Sequence, residues 1–126
     1  MKKIVYVGIV GLLSILLTGC FNKALSTTDF KEKMENLGYT VETSTHSNES
    51  SEITEMATAQ KENYELKFYI FTNSGTAIEF SESLKQTWEG STNYTDTRRN
   101  DNTLIVINVP ENYKDQVQKD IKELGF

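Results

Sequence analysis

The sequence predicts an α+β domain: a mostly antiparallel sheet of about five strands with three helices, in the order α-β-β-β-α-β-β-α. Three observations point there. Three stretches repeat apolar residues at helical spacing, a glycine falls just past each of them, and the segments between them alternate or run apolar as strands do. A run of strands with the helices packed on one face is the layer this order implies.

The first helix is expected over Thr28 to Leu37, where Phe30, Met34 and Leu37 recur at i, i+4 and i+7. Ser26 or Thr27 caps its start, with Asp29 in the first turn. Tyr39 to Thr45 alternates apolar and polar and suits a half-exposed strand. His46 to Ser51 is a polar loop. Ile53 to Gln60 reads two ways: Ile53, Met56 and Ala57 fit a helix, whereas Ile53, Glu55, Ala57 and Ala59 fit an edge strand. The strand is favoured, hairpinned to the next through Lys61-Glu62-Asn63. Tyr64 to Phe71 is the strongest strand, with Tyr64, Leu66, Phe68 and Ile70 on one face and Tyr69 and Phe71 on the other.

A second helix is expected over Gly75 to Glu89, with Ala77, Phe80, Leu84 and Trp88 along one stripe and Ser74 as its cap. Thr92 to Arg99 is polar and β-branched, Asn100-Asp101-Asn102 is a turn signal, and Leu104 to Val109 is apolar on both faces. Residues 92–109 therefore read as a hairpin whose second strand is central. The third helix covers Glu111 to Leu124, with Tyr113, Val117, Ile121 and Leu124 in register and Pro110 at its start, where a missing N–H does no harm. Gly38, Gly90 and Gly125 fall where a left-handed residue ends a helix. Met34-Glu-Asn-Leu-Gly-Tyr39 and Ile121-Lys-Glu-Leu-Gly-Phe126 look alike, and two independent helix caps account for them better than a duplication does.

Met1-Lys2-Lys3 is a short positive start, Ile4 to Leu17 is almost entirely apolar, and Thr18, Gly19 and Cys20 follow. That is the layout of a secretory signal, with an apolar run too short for a comfortable membrane span. Leu17-Thr18-Gly19-Cys20 resembles the lipobox of bacterial lipoproteins. The resemblance implies a signal peptide over residues 1–19 and diacylglyceryl attachment to the Cys20 thiol. It also implies residence on the extracytoplasmic face of the cell membrane. Two acyl chains anchor stably where one binds marginally, at about 0.8 kcal/mol per buried methylene. Residues 20–26 would be the lipidated cysteine and a short tether, Phe21 to Ser26, that reaches roughly 20 Å at most, and residues 27–126 the single globular domain. Cys20 is the only cysteine, so the exported domain has no internal disulfide. Of 13 Lys and Arg, Lys2 and Lys3 leave with the signal; 11 then stand against 18 Asp and Glu, a net charge of −7. That balance speaks against nucleic acid and anionic headgroups as partners.

The resemblance widens over nearly the whole exported domain. The helix ending Leu37-Gly38-Tyr39, the run Tyr64-Glu-Leu-Lys-Phe68-Tyr-Ile-Phe71 with Ala77 and Phe80, Asp101-Asn-Thr-Leu-Ile-Val106 and the Lys114-to-Phe126 helix carry it. They are similar to small uncharacterised lipoproteins of low-GC Gram-positive bacteria. These motifs are apolar framework and imply a fold more than an activity.

The catalytic inventory is thin. Nucleophilic catalysis needs a nucleophile beside a positioned base, yet the only histidine, His46, sits in a Ser/Thr-rich loop. Asp96, Asp101 and Glu111 do not have the spacing of a calcium loop. Glu32, Glu35, Glu79, Glu82, Asp115, Asp120 and Glu123 are expected on outer helix faces beside lysines. No metal or cofactor is implied, and no carboxylate sits in an evidently apolar setting. Arg98-Arg99 is the one concentrated cationic feature: one arginine is expected to pair across the hairpin with a carboxylate while the other stays exposed, an anionic-ligand or partner contact being the alternative. Tyr69 and Phe71, with either Ile105 and Ile107 or Leu104 and Val106, form an apolar patch if no helix covers their face. Tyr69, Phe71, Arg98 and Arg99 are thus the candidate partner contacts. The expected function is a non-enzymatic binding or structural module. The alternatives are a carboxylate-dependent envelope enzyme and a lipoprotein conferring immunity to an exported toxin.

Overall fold

A computed structural model describes residues 25–45 and 52–126. Cys20, most of the tether and the His46–Ser51 loop lie outside the described residues. The elements are α1 (Thr27–Asn36), β1 (Thr40–Thr45), β2 (Ile53–Lys61), β3 (Tyr64–Phe71), α2 (Ser74–Thr87), β4 (Tyr94–Asn100), β5 (Thr103–Val109) and α3 (Lys114–Glu123). The expected order holds, and Ile53 to Lys61 is a strand, though paired on both sides by β1 and β3 rather than lying at the sheet's edge. A 3-10 turn at Glu111–Tyr113 separates Pro110 from α3. The strands form one sheet in the order β1-β2-β3-β5-β4, every neighbouring pair antiparallel.

Local chemistry sets the helix ends. The Ser26 hydroxyl accepts from the Asp29 N–H at 3.1 Å, as a capping serine does. The cap of α2 is Asn73 rather than Ser74: its side-chain oxygen accepts from the Thr76 N–H at 2.9 Å. Gly38, with φ of 96°, ends α1. The Gly38 N–H donates to the Glu35 carbonyl and the Tyr39 N–H to the Met34 carbonyl, both at 3.0 Å. That double bond pattern is the Schellman motif. Gly125, φ 86°, donates to the Lys122 carbonyl at 3.1 Å, so the similar helix endings share a left-handed glycine and the bond that it donates.

The helices do not share one face of the sheet. Phe30 and Met34 of α1 and Val117, Ile121 and Leu124 of the C-terminal segment bury against Ala57, Ala59, Leu66, Phe68, Ile105, Ile107 and Val109. The Phe30 and Phe68 rings stack with centroids 4.6 Å apart. On the opposite face, Ala77 of α2 buries with Phe71 and Leu104, and Phe80, Tyr69 and Val106 pack beside them. The expected one-sided layer is therefore a three-layer arrangement over β3 and β5. The reason lies in the strands: alternation gives β3 and β5 apolar residues on both faces, and both faces must be covered. β1 and the far end of β2, whose Glu42 and Gln60 are exposed on the α2 side, are covered on the other side alone, while Ile53 at the start of β2 packs with Phe71 and Ala77.

This placement decides the fate of the aromatic pair. Phe71 is 2% exposed beneath α2, which removes it as a partner contact; Tyr69 beside it is half-buried. Phe71→Ser is expected to cost about 3–5 kcal/mol, the range for emptying a buried phenylalanine site, and Tyr69→Ser about 1 kcal/mol. Chemical denaturation followed by circular dichroism checks the contrast; equal losses would contradict it.

Candidate functional site

The stripe Ala77, Phe80, Leu84, Trp88 on α2 behaves as two halves. At its start Ala77 is fully buried, and the Phe80 ring lies 5.3 Å from both Phe71 and Tyr69. Ser81 ties the helix to β4 through a 2.7 Å hydrogen bond with the Thr97 hydroxyl. Further along, the residues beneath the stripe change character. On this face β3 presents Lys67 and Glu65, and β5 presents Asn108 beyond Val106. These groups resist burial, so the helix cannot close down on them.

The result is a trench of 260 Å³ lined by Glu65, Lys67, Tyr69, Phe80, Leu84, Trp88, Val106 and Asn108. Its two long walls are regular. Phe80, Leu84 and Trp88 at i, i+4 and i+8 span roughly 12 Å of helix, and Tyr69, Lys67 and Glu65 at alternate strand positions span roughly 13 Å. The Phe71–Phe80–Tyr69 rings close one end. Trp88, at the C-cap of α2, stands at the other with Glu65 and Asn108. Burial, with the charge of Glu65 second, holds the Tyr69 phenol above its ordinary pKa, so at neutral pH its hydroxyl is a donor. Lys67 and Glu65 approach within 3.8 Å with side chains 40% and 50% exposed, a solvated pair that adds little stability and can exchange partners.

A second polar cluster lies on the other face. Asp120 is 2% exposed, which corrects its expected place on an outer helix face. The Tyr39 hydroxyl donates to Asp120 Oδ2 at 2.7 Å and Gln116 Nε2 donates to Oδ1 at 2.9 Å. Since the Tyr39 proton is committed, the Tyr64 hydroxyl is the donor across the 2.9 Å gap to Tyr39. The signal was present in the sequence: Asp120 stands at i+3 in the stripe Val117, Ile121, Leu124, inside the buried arc of an amphipathic helix. Both carboxylate oxygens accept from partners, and Asp120 lines neither the trench nor the shallow pocket formed by Lys33, Asn36, Leu37 and Glu123. Its geometry is that of a strut between α3 and the sheet.

The arginines do not form one patch. Arg98 pairs with Ile105 and Arg99 with Leu104 across the hairpin, so the two side chains point to opposite faces. Arg98 Nε bonds Asp96 Oδ2 at 3.0 Å, a carboxylate of its own strand rather than one across the hairpin. Arg99 is exposed and donates to the Asp101 carbonyl at 2.8 Å. Of the four candidate contacts, Tyr69 alone lines the trench; Phe80, Leu84 and Trp88, which the sequence marks only as one stripe of the helix, line it as well. Among the described residues no group of three or more metal-ligating side chains occurs, and no helix is long and apolar enough to cross a membrane. Comparisons of the chain with protein-family models, curated proteins and solved structures find no match.

Burial first, then the bond it donates to Asp120, drives the Tyr39 phenol far above its ordinary value, and burial raises Tyr64 as well. A raised folded-state pKa contributes stability that is complete below the unfolded value and lost as pH rises past it. Denaturation midpoints should therefore hold steady to about pH 9.5 and fall beyond about pH 10. Tyr39→Phe should cost about 1–3 kcal/mol at neutral pH by leaving Asp120 short of a donor, and should flatten the alkaline fall. An unchanged alkaline slope would contradict the network.

Proposed function

We propose that this chain is a lipid-tethered module on the outer face of the cell membrane, and that the trench beneath α2 binds an apolar group of its ligand. One observation carries the binding half of the reading: Tyr69, Phe80, Leu84, Trp88 and Val106 line a single open trench, with Glu65, Lys67 and Asn108 as its polar groups. Ligand sites combine these ingredients, a mostly apolar concavity with a few polar groups that fix orientation. Aromatic walls supply large contact area at low entropic cost.

The tether half rests on Met1-Lys2-Lys3, the apolar run and Leu17-Thr18-Gly19-Cys20. A trench within a short reach of the bilayer would present its ligand at the membrane surface. The buried carboxylate supports a module over an enzyme, because Asp120 points into a closed network rather than a cleft.

Trp88 is the sole tryptophan, so its emission reports the trench without a label. Nile red, a neutral apolar dye, should quench Trp88 by energy transfer and saturate. Leu84→Arg, which fills the trench with a charge, should abolish this, while Ile78→Arg on the outer face of α2, where Ile78 is 42% exposed, should not. Equal loss in both variants, or no saturation in the parent, would overturn the trench as a site. For the tether, the wild type should be recovered diacylated in the membrane fraction and Cys20→Ser unprocessed or released. An unlipidated wild type in the medium would refute it.

A further inference from the structure

The two ends of the trench differ chemically, and that difference selects a ligand class. This inference rests on the binding role proposed above. At the closed end the rings of Tyr69, Phe71 and Phe80 meet with centroids 5.3 to 6.0 Å apart, and the Phe71 ring behind them is buried. That end takes an apolar side chain. The open end is bounded by the Glu65 carboxylate, the Trp88 ring and the C-terminus of α2, with Glu89 next in the chain. A helix C-terminus carries about half a negative charge in its free carbonyls, and an indole face attracts cations. Two cations lie nearby. Lys67 is already 3.8 Å from Glu65, and Lys85 is exposed in the last turn of α2. A ligand cation at the open end would compete with Lys67 for Glu65 in an exposed pair worth little by itself.

Dimensions favour an extended chain over a compact ligand. The walls run roughly 12 Å, the length of three to four extended residues. An apolar side chain at the closed end then leaves a neighbour two to four positions on beside Trp88 and Glu65. The charge of the whole chain, −5, favours approach of a cationic partner over an anionic one.

We infer that the trench binds an extended peptide segment that carries an apolar side chain and, two to four residues along, a lysine or arginine. The apolar side chain occupies the Tyr69–Phe80 end, and the cation sits over Trp88 against Glu65.

The test titrates the full-length lipoprotein in detergent, read by Trp88 emission, with three probes. They are a blocked hexapeptide of alternating leucine and lysine, its leucine–glutamate counterpart and the tetramer of N-acetylglucosamine. The leucine–lysine peptide should saturate the signal, weaken as salt is raised, and bind at least about tenfold more tightly than the leucine–glutamate peptide. Glu65→Lys should lose about tenfold for the leucine–lysine peptide and gain for the acidic one. Glu32→Lys on α1, the same change in net charge on the opposite side of the sheet, should leave both affinities unchanged. Equal affinities for the two peptides, an equal effect of Glu32→Lys, or saturation by the sugar alone would each overturn the inference. Nile red separates the two failures: dye binding without any preference for the basic peptide refutes the ligand class alone, and no dye binding refutes the trench itself.

Discussion

Strand β3 sends Leu66 and Phe68 into one layer and Phe71 into the other, so the centre of the sheet must be covered from both sides. The rest of the architecture follows from satisfying that demand. α1 and α3 cover the face with the larger apolar set, which β2 and β5 extend through Ala57, Ala59, Ile105, Ile107 and Val109. α2 is left to cover Phe71 and Leu104 on the other face. Dispersion and burial hold the three layers together, at about 1.5–3 kcal/mol for each large apolar side chain fully removed from water.

The same strand limits what α2 can do. Its N-terminal half sits on Phe71 and Leu104 and is tied to β4 through Ser81 and Thr97. Its C-terminal half faces Lys67, Glu65 and Asn108, whose burial would cost more than the contact returns. A helix anchored at one end over a polar floor at the other leaves an open trench with aromatic walls. The charged residues that keep it open are also the ones that give it chemical direction.

Much of this was legible in the residues. Helical stripes, glycines at helix ends and the alternation of β3 place most elements, because each of these signals is local, whereas Ile53 to Gln60 carries both periodicities and its pairing on both sides is not a local property. Which face a helix covers is not local. The stripe of α2 gave its apolar side but not the layer it joins, so the helices were expected together and Phe71 was expected as surface. Lys67 and Glu65 on the same strand face were visible, yet their effect required knowing that α2 lies over them. Asp120 was misplaced for a simpler reason: an aspartate beside lysines on a helix reads as solvated, and its partner Tyr39 lies 81 positions away. Arg98 and Arg99 stood out as a pair only because adjacent strand residues were read together; the pleat sends them apart.

The most direct test of this account locates the site without relying on Trp88. Amide chemical shifts of the labelled protein would be followed as indole, a small neutral apolar probe, is added. Shifts should concentrate at Glu65, Lys67, Tyr69, Phe80, Leu84, Trp88, Val106 and Asn108, with α1 and α3 unmoved. Shifts confined to α1 and α3, or spread evenly over the domain, would contradict a trench built by β3 beneath α2.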